Sequence, residues 1–121
     1  MDINAAKMTE TATELREKYG IQTKELSFDF NTLYTEEAAG KLKAILDSVQ
    51  EDVAILINNV GVIDFGTLGE REIWKINLMI NVNINAQTYM SNLILPRLLK
   101  RENRSAIINI ASRAAFQARA L

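Results

Sequence analysis

Asn58-Asn59-Val60-Gly61 is the part of the sequence whose residue types and spacing are best suited to chemistry. It follows the apolar run ILI directly. Asn side chains both donate and accept hydrogen bonds, and parallel sheets bind ligands where their strands end. Gly61 can adopt a positive φ and let a ligand approach the backbone. An ordinary turn uses Asn and Gly for their backbone preferences, so a turn without a ligand explains the same residues.

Two further groups of polar residues could do chemistry. Asn81, Asn83 and Asn85 fall within five residues of a stretch with helical periodicity, although Asn is a poor helix former. Asn81 and Asn85 share one helix face, and Asn83 lies on another. Ser112 follows the apolar run IINIA, at the same sheet edge as Asn58. A polar stripe on a helix and a capping serine are the simpler interpretations.

Composition excludes several other kinds of chemistry. The 121 residues contain no Cys and no His, which removes thiol nucleophiles, imidazole bases, disulfides and zinc sites with nitrogen or sulfur ligands. The net charge is -1, and no dense basic face is present to bind nucleic acid. We interpret the basic cluster at residues 97–104 as the solvated end of a helix. No run of 18 apolar residues predicts a membrane span.

Hydrophobic periodicity predicts the elements that must position these groups. Three helices are predicted, at 5–18, 35–50 and about 70–99. Three strands are predicted, at 21–30, 53–57 and 106–110, and the last two are apolar enough to be buried on both faces. Alternating helices and strands indicate an α/β fold with a parallel sheet. No linker divides the chain.

The helix boundaries follow from local residue preferences. Thr9 or Thr11 is expected to cap the first helix, and Gly20 to end it. Thr35 precedes two glutamates and is expected to cap the second helix. Pro96 should kink the third helix or lie near its end.

The order and spacing of these motifs resemble the short-chain dehydrogenase/reductase family. The similarity covers a strand ending in NNVG, INVNI about 20 residues later, then LP, then IINIAS. NNVG and the segment ILPRLLKRENRSAIINIAS resemble its very-long-chain 3-ketoacyl-CoA reductase and 17β-hydroxysteroid dehydrogenase branch. SFDF, at 27–30, matches an earlier strand of the family. The resemblance extends from about Lys7 to Phe116.

The resemblance implies a fold and an activity. The fold would be a partial Rossmann-like parallel sheet of about three strands flanked by helices, with residues 1–121 forming a partial NAD(P)-binding domain. It would lack the family's first two strands and its C-terminal part. The activity would be that of a carbonyl reductase or alcohol dehydrogenase using NADP, acting by hydride transfer on a 3-ketoacyl-CoA or steroid-like lipid. Members of this branch often reside at the endoplasmic reticulum through an N-terminal apolar segment, which this sequence does not show.

The resemblance also implies roles for individual residues. Asn83 would hold a water in the proton relay, and Ser112 would hydrogen-bond the substrate carbonyl. Asp29 would contact the adenine of the cofactor. Asn58 to Gly61 would stabilise the sheet and pass near the nicotinamide nucleotide. The alternatives for the relay residue are Asn81 and Asn85.

Two motifs of the family do not occur in the sequence. The glycine-rich turn GxxxGxG and the catalytic YxxxK are both absent from the 121 residues, so we expect these residues to be inactive alone. The two missing strands would lie between 21–28 and 53–57, which should leave these strands to pair directly or one of them unpaired.

A second interpretation is a non-catalytic partner that dimerises with a full-length relative through helix 70–99. The residues expected at that contact are Leu78, Met79, Val82, Tyr89 and Met90.

Overall fold

A computed structural model describes residues 1–116, which divide into two compact units, Met1–Phe30 and a second one from Asn31 onward. The first unit contains helix α1, Ala5–Tyr19. Asn4 caps it, because its side chain accepts the Lys7 N–H at 3.0 Å. The predicted caps Thr9 and Thr11 were wrong, since both lie inside the helix.

The C-terminal end of α1 lies where the sequence predicted it. Gly20 has a φ of 63°, and its N–H donates to the carbonyl of Arg16. A residue with a side chain adopts this left-handed conformation at a cost, so glycine is the usual residue after a helix. Gly20 therefore ends the helix, as predicted.

Residues 21–30 do not form the predicted strand. They make one isolated bridge, between Asp2 and Ser27, and Phe30 begins a short 3₁₀ turn, Phe30–Thr32. A strand requires a partner for its backbone N–H and C=O groups, and the alternation of side chains does not supply one. The alternation did identify the inward side chains: Phe28 and Phe30 are buried, and their rings meet edge to face at 5.3 Å.

The second unit begins with a helix and a strand that contribute side chains to its apolar core. Helix α2 spans Glu36–Asp47, and the Thr35 hydroxyl caps it by accepting the Ala38 N–H at 3.1 Å, as predicted. Strand β1, Ile55–Asn58, comes next along the chain. The core residues are Leu33, Ala38, Leu42, Leu46, Leu56, Val82, Ala86, Ile94 and Leu98.

The long predicted helix is divided into three parts. A 3₁₀ turn, Leu68–Glu70, precedes helix α3, Ile73–Ile80. A π-helical segment, Asn81–Asn85, joins α3 to helix α4, Ala86–Leu99. Pro96 lies three residues before the end of α4, as predicted. None of the helices within residues 1–116 is long and apolar enough to cross a membrane.

The sheet consists of two parallel strands in the part of the chain that the structure describes. Strand β2, Ala106–Asn109, pairs with β1 in a register that sets Ile55 opposite Ala106 and Asn58 opposite Asn109. This confirms the α/β class and the parallel sheet, with two strands in place of about three. Strand 21–30, which was expected to pair with β1 or remain unpaired, does not form.

The sheet is covered on one face, so the expectation of two covered faces was wrong. α4 packs against both strands and buries Leu56. On the opposite face, the side chains of Ile55 and Ile57 are 55% and 57% exposed. β2 is also more open than predicted, and its Ile108 is exposed. The strands bury one face because no described helix of this unit lies over the other.

The basic cluster at 97–104 is only partly solvated, which corrects its interpretation as a solvated helix end. The Arg97 guanidinium donates to the carbonyls of Leu46 at 3.1 Å, Val49 at 2.7 Å and Glu51 at 2.8 Å. Arg101 pairs with Asp52. Arg97 thereby joins α4 to the end of α2 and to the segment that leads into β1.

Candidate functional site

Asn58 ends β1 and is buried, with 3% of its surface exposed. Its Nδ2 donates to Oδ1 of Asn109 at 2.8 Å and to Oγ of Ser91 at 3.1 Å. One amide therefore joins the two strands to each other and to α4. Asn109 and Ser91 were not among the residues predicted from the sequence. A signal for Asn109 exists, because it follows an apolar run in the same way that Asn58 does.

Asn83 lies beside the loop that follows β1. Its Oδ1 accepts the Val62 N–H at 2.8 Å, and its Nδ2 donates to the Val62 carbonyl at 3.0 Å. Asn83 is also the middle residue of the π-helical segment Asn81–Asn85. Single π turns within α-helices occur frequently at functional sites. The Asn83 amide therefore holds the loop backbone immediately after Gly61.

Asn81 and Asn85 lie on the other side of the helix and hold a different segment. Asn81 is buried, and its Nδ2 donates to the Asn31 carbonyl at 3.0 Å. Asn85 donates to the Leu33 carbonyl at 3.3 Å and to Oδ1 of Asn81 at 2.9 Å. Of the three asparagines, Asn83 is the one that the structure places against the loop after β1.

Gly61 does not show the backbone property that was expected of it. The described glycines with positive φ are Gly20 and Gly66, so Gly61 does not use the left-handed region. A Cβ atom built on Gly61 would instead lie 3.4 Å from Oδ1 of Asn83. The loop backbone thus comes close to the Asn83 amide at this residue. Asn59 is exposed and Val60 is half-buried in the same loop.

Ser112 is exposed, three residues beyond the end of β2. Its Oγ accepts the Ala114 N–H at 3.2 Å, and its carbonyl accepts the Ala115 N–H at 3.0 Å. It therefore caps the short 3₁₀ turn Arg113–Phe116, as the simpler interpretation expects. A serine that accepts through its oxygen still has an O–H to donate. Because β1 and β2 are parallel, the segments carrying Gly61 and Ser112 leave the sheet at the same edge.

Asp29 belongs to the first unit. It is half-buried and lies in sequence between the buried rings of Phe28 and Phe30. The other predicted site residues, Asn58 to Gly61, Asn83 and Ser112, all belong to the second unit.

A parallel α/β unit that carries amide and hydroxyl groups past its strand ends has the arrangement of Rossmann-like nucleotide-binding enzymes. The family model described as short chain dehydrogenase matches residues 1–121. The chain belongs to the short-chain dehydrogenase/reductase family, as its motifs predicted.

Two relatives agree with the branch that NNVG indicated. Very-long-chain 3-oxoacyl-CoA reductase of Anas platyrhynchos is 33% identical over 116 residues, which cover 89% of this chain and 34% of that protein. Inactive hydroxysteroid dehydrogenase-like protein 1 of Homo sapiens is 32% identical over 114 residues, covering 90% of this chain and 32% of that protein. The chain thus spans about a third of the length of these relatives.

A solved structure confirms the fold of the family. L-sorbose reductase from Gluconobacter frateurii, complexed with NADPH and L-sorbose, superposes with a TM-score of 0.78 at 25% identity. The match covers 93% of this chain and 41% of that one. Nucleotide cofactors are therefore used in the family to which the chain belongs.

Proposed function

We propose that these residues form part of an NADP(H)-dependent carbonyl reductase or alcohol dehydrogenase. Its substrate would be a lipid carbonyl of the 3-oxoacyl-CoA or steroid type. The observation that carries the proposal is the pair of hydrogen bonds between Asn83 and Val62, which fixes the loop after NNVG beside the π turn. The printed names of the relatives support the class of substrate.

The chemistry of the donor groups fits this proposal. When bound, NADPH supplies the hydride. Ser112 would donate its O–H to the substrate carbonyl oxygen, which favours the negative charge that develops there. Asn58 to Gly61 would stabilise the sheet and pass near the nicotinamide nucleotide, and Asp29 would lie near the adenine. Asn83 would hold the loop and take part in the water relay.

The proton that the carbonyl oxygen gains has no evident donor in these residues. No tyrosine has a lysine four residues later, and no GxxxGxG turn occurs in the 121 residues. His and Cys are absent as well. We therefore propose that residues 1–121 contain part of the site and are inactive by themselves. They would form part of one NAD(P)-binding domain.

The test is turnover by the encoded protein, with the coding sequence read on both sides of these residues. We expect no NADPH oxidation by residues 1–121 with a long-chain 3-oxoacyl-CoA. In the longer protein, Ser112→Ala should lower kcat by about 10²-fold, since one hydrogen bond to the developing oxyanion is lost. Steady-state kinetics measures both results.

The control is Ser105→Ala, because the Ser105 hydroxyl bonds the Leu98 carbonyl before β2 begins, away from the edge that carries Ser112. It should leave kcat within about twofold, as expected for a surface substitution. Turnover by residues 1–121 alone would contradict their proposed inactivity. An unchanged kcat in Ser112→Ala would contradict the role of this serine.

An exposed apolar stripe favours a second candidate, in which the chain dimerises with a full-length relative. Five exposed apolar residues follow helical spacing along α3 to α4: Ile73, Ile80, Ile84, Leu95 and Leu99. Ile84, near the middle, is 58% exposed. Val82 was predicted to lie at the contact, but it is buried at 6%. The other four predicted residues are half-buried.

Ile84→Glu tests this second candidate. A carboxylate at the centre of an apolar contact must be desolvated, so we expect the dissociation constant for a full-length reductase to rise at least about tenfold. Sedimentation equilibrium of the mixed proteins measures it. Asn103→Glu adds the same charge at an exposed loop and should have no effect. Equal binding by both variants would exclude the stripe as the contact surface.

A further inference from the structure

The loop between β1 and α3, residues 59–72, is braced by a buried arginine. Nη1 of Arg71 donates to Oδ2 of Asp64 at 2.9 Å, and its Nη2 donates to the Gly66 carbonyl at 2.7 Å. The Arg71 side chain is only 8% exposed. A buried guanidinium must satisfy its donors locally, and the planar fork suits two acceptors at once. The loop therefore wraps around this one side chain.

Gly66 gives the loop a backbone conformation that favours glycine, next to the arginine. Its φ is 145°, a conformation that residues with a side chain rarely adopt. A Cβ atom at this position would lie 3.4 Å from Nη2 of Arg71. The backbone conformation that favours glycine thus occurs at the residue whose carbonyl accepts from Arg71.

The same loop is held at a second point by Asn83, which bonds both backbone groups of Val62. Nη1 of Arg71 also lies 3.9 Å from Sδ of Met79 in α3, so the guanidinium rests against the helix. The five-residue span Val62–Gly66 is thus fixed at both ends, at Val62 by Asn83 and at Gly66 by Arg71. This span directly follows the Asn59–Gly61 segment that the proposed function places near the cofactor.

We infer that Arg71 is a positioning residue for the candidate site. It fixes the Val62–Gly66 span against α3 and so keeps the preceding segment, Asn59–Gly61, at the edge of the sheet. The inference rests on the proposed function for its consequence in cofactor binding. The contacts of Arg71 with the loop do not depend on that function, and amide hydrogen exchange in the loop measures their effect separately.

Amide hydrogen exchange in Arg71→Met tests the brace. The measured quantity is the exchange rate of the Val62 amide, which bonds Asn83, relative to that of the Ile110 amide, which bonds the Asn58 carbonyl. We expect this ratio to rise at least about tenfold, because the loop opens locally while the sheet stays closed. Arg71→Lys should restore part of the protection, since one ammonium can reach one of the two acceptors.

Arg97→Met is the matched control, because it removes another arginine that bonds carbonyl groups, at the far end of α4. Global destabilisation accelerates both amides together and leaves their ratio unchanged. If Arg71→Met fails to fold, Asp64→Asn removes the charge from the partner while keeping its shape, and the ratio should rise about threefold. An unchanged ratio in both Arg71→Met and Asp64→Asn would overturn the inference.

Calorimetric titration of the longer protein with NADPH separates the inference from the proposed function. Arg71→Met should raise the dissociation constant about tenfold, and Arg97→Met should leave it within twofold at a temperature where both are folded. If the unsubstituted protein does not bind NADPH, the proposed function fails, and the exchange ratio alone then decides the role of Arg71. Equal affinities in Arg71→Met and the unsubstituted protein would overturn that role.

Discussion

Arg97→Met should lower the free energy of unfolding by about 3 kcal/mol, because it removes a charged donor from three carbonyl groups at once. Those carbonyls belong to Leu46, Val49 and Glu51, at the end of α2 and in the segment that leads into β1. Methionine retains the apolar stem, so the loss reports mainly on the guanidinium. For a chain of this length, the melting temperature should fall by roughly 10 °C. Urea denaturation followed by circular dichroism measures the change.

Arg104→Met is the control for this prediction. Arg104 belongs to the same basic cluster but is exposed. Its substitution should change the free energy of unfolding by less than about 0.5 kcal/mol. Similar losses in Arg104→Met and Arg97→Met would mean that the cluster acts through its overall charge. The three carbonyl bonds would then contribute little.

The contacts of Arg97 could not be predicted from the local sequence. Thr35 and Gly20 were predicted correctly because a helix cap depends on residues within one turn. Arg97 bonds carbonyls that lie 46 to 51 residues away. No local pattern contains that information, and a basic residue near a helix end looks the same whether it is solvated or buried.

The strands illustrate a related limit. Alternation identified Phe28 and Phe30 as inward, and they are buried. It did not determine whether residues 21–30 have a strand to pair with, and pairing is what makes a strand. The runs at 53–57 and 106–110 do pair with each other, and both strands form within two residues of their predicted bounds.

The candidate site was predicted by residue type, and its partners were not. Asn58 was selected because it follows an apolar strand, and the family resemblance selected Asn83 from three asparagines in one helix. Their acceptors depend on strand register and on the π turn, neither of which has a local signal. The register alone sets Asn58 opposite Asn109. The family resemblance implies roles for these residues, and the structure shows the hydrogen-bond partners that hold their side chains in place.

Asn58→Ala should lower the free energy of unfolding by about 2 to 3 kcal/mol. The substitution removes a buried amide, leaves a small cavity and takes a donor from Oδ1 of Asn109 and Oγ of Ser91. Asn59→Ala is the matched control, since Asn59 is the exposed neighbour in the same turn. It should change stability by less than about 0.5 kcal/mol. If both substitutions lowered the free energy of unfolding equally, the stabilisation would come from the turn and not from the buried Asn58 amide.

A double-mutant cycle with Asn109→Ala isolates the bond between the two strands. Once Asn109 is shortened, the Asn58 amide has lost one acceptor, so the second substitution should cost less than it does alone. We expect a coupling energy of at least about 1 kcal/mol. Additive losses would mean that Asn58 acts mainly through Ser91 and α4. The coupling thus decides whether this buried asparagine aligns the two strand ends that carry the candidate site, or fastens one of them to the helix.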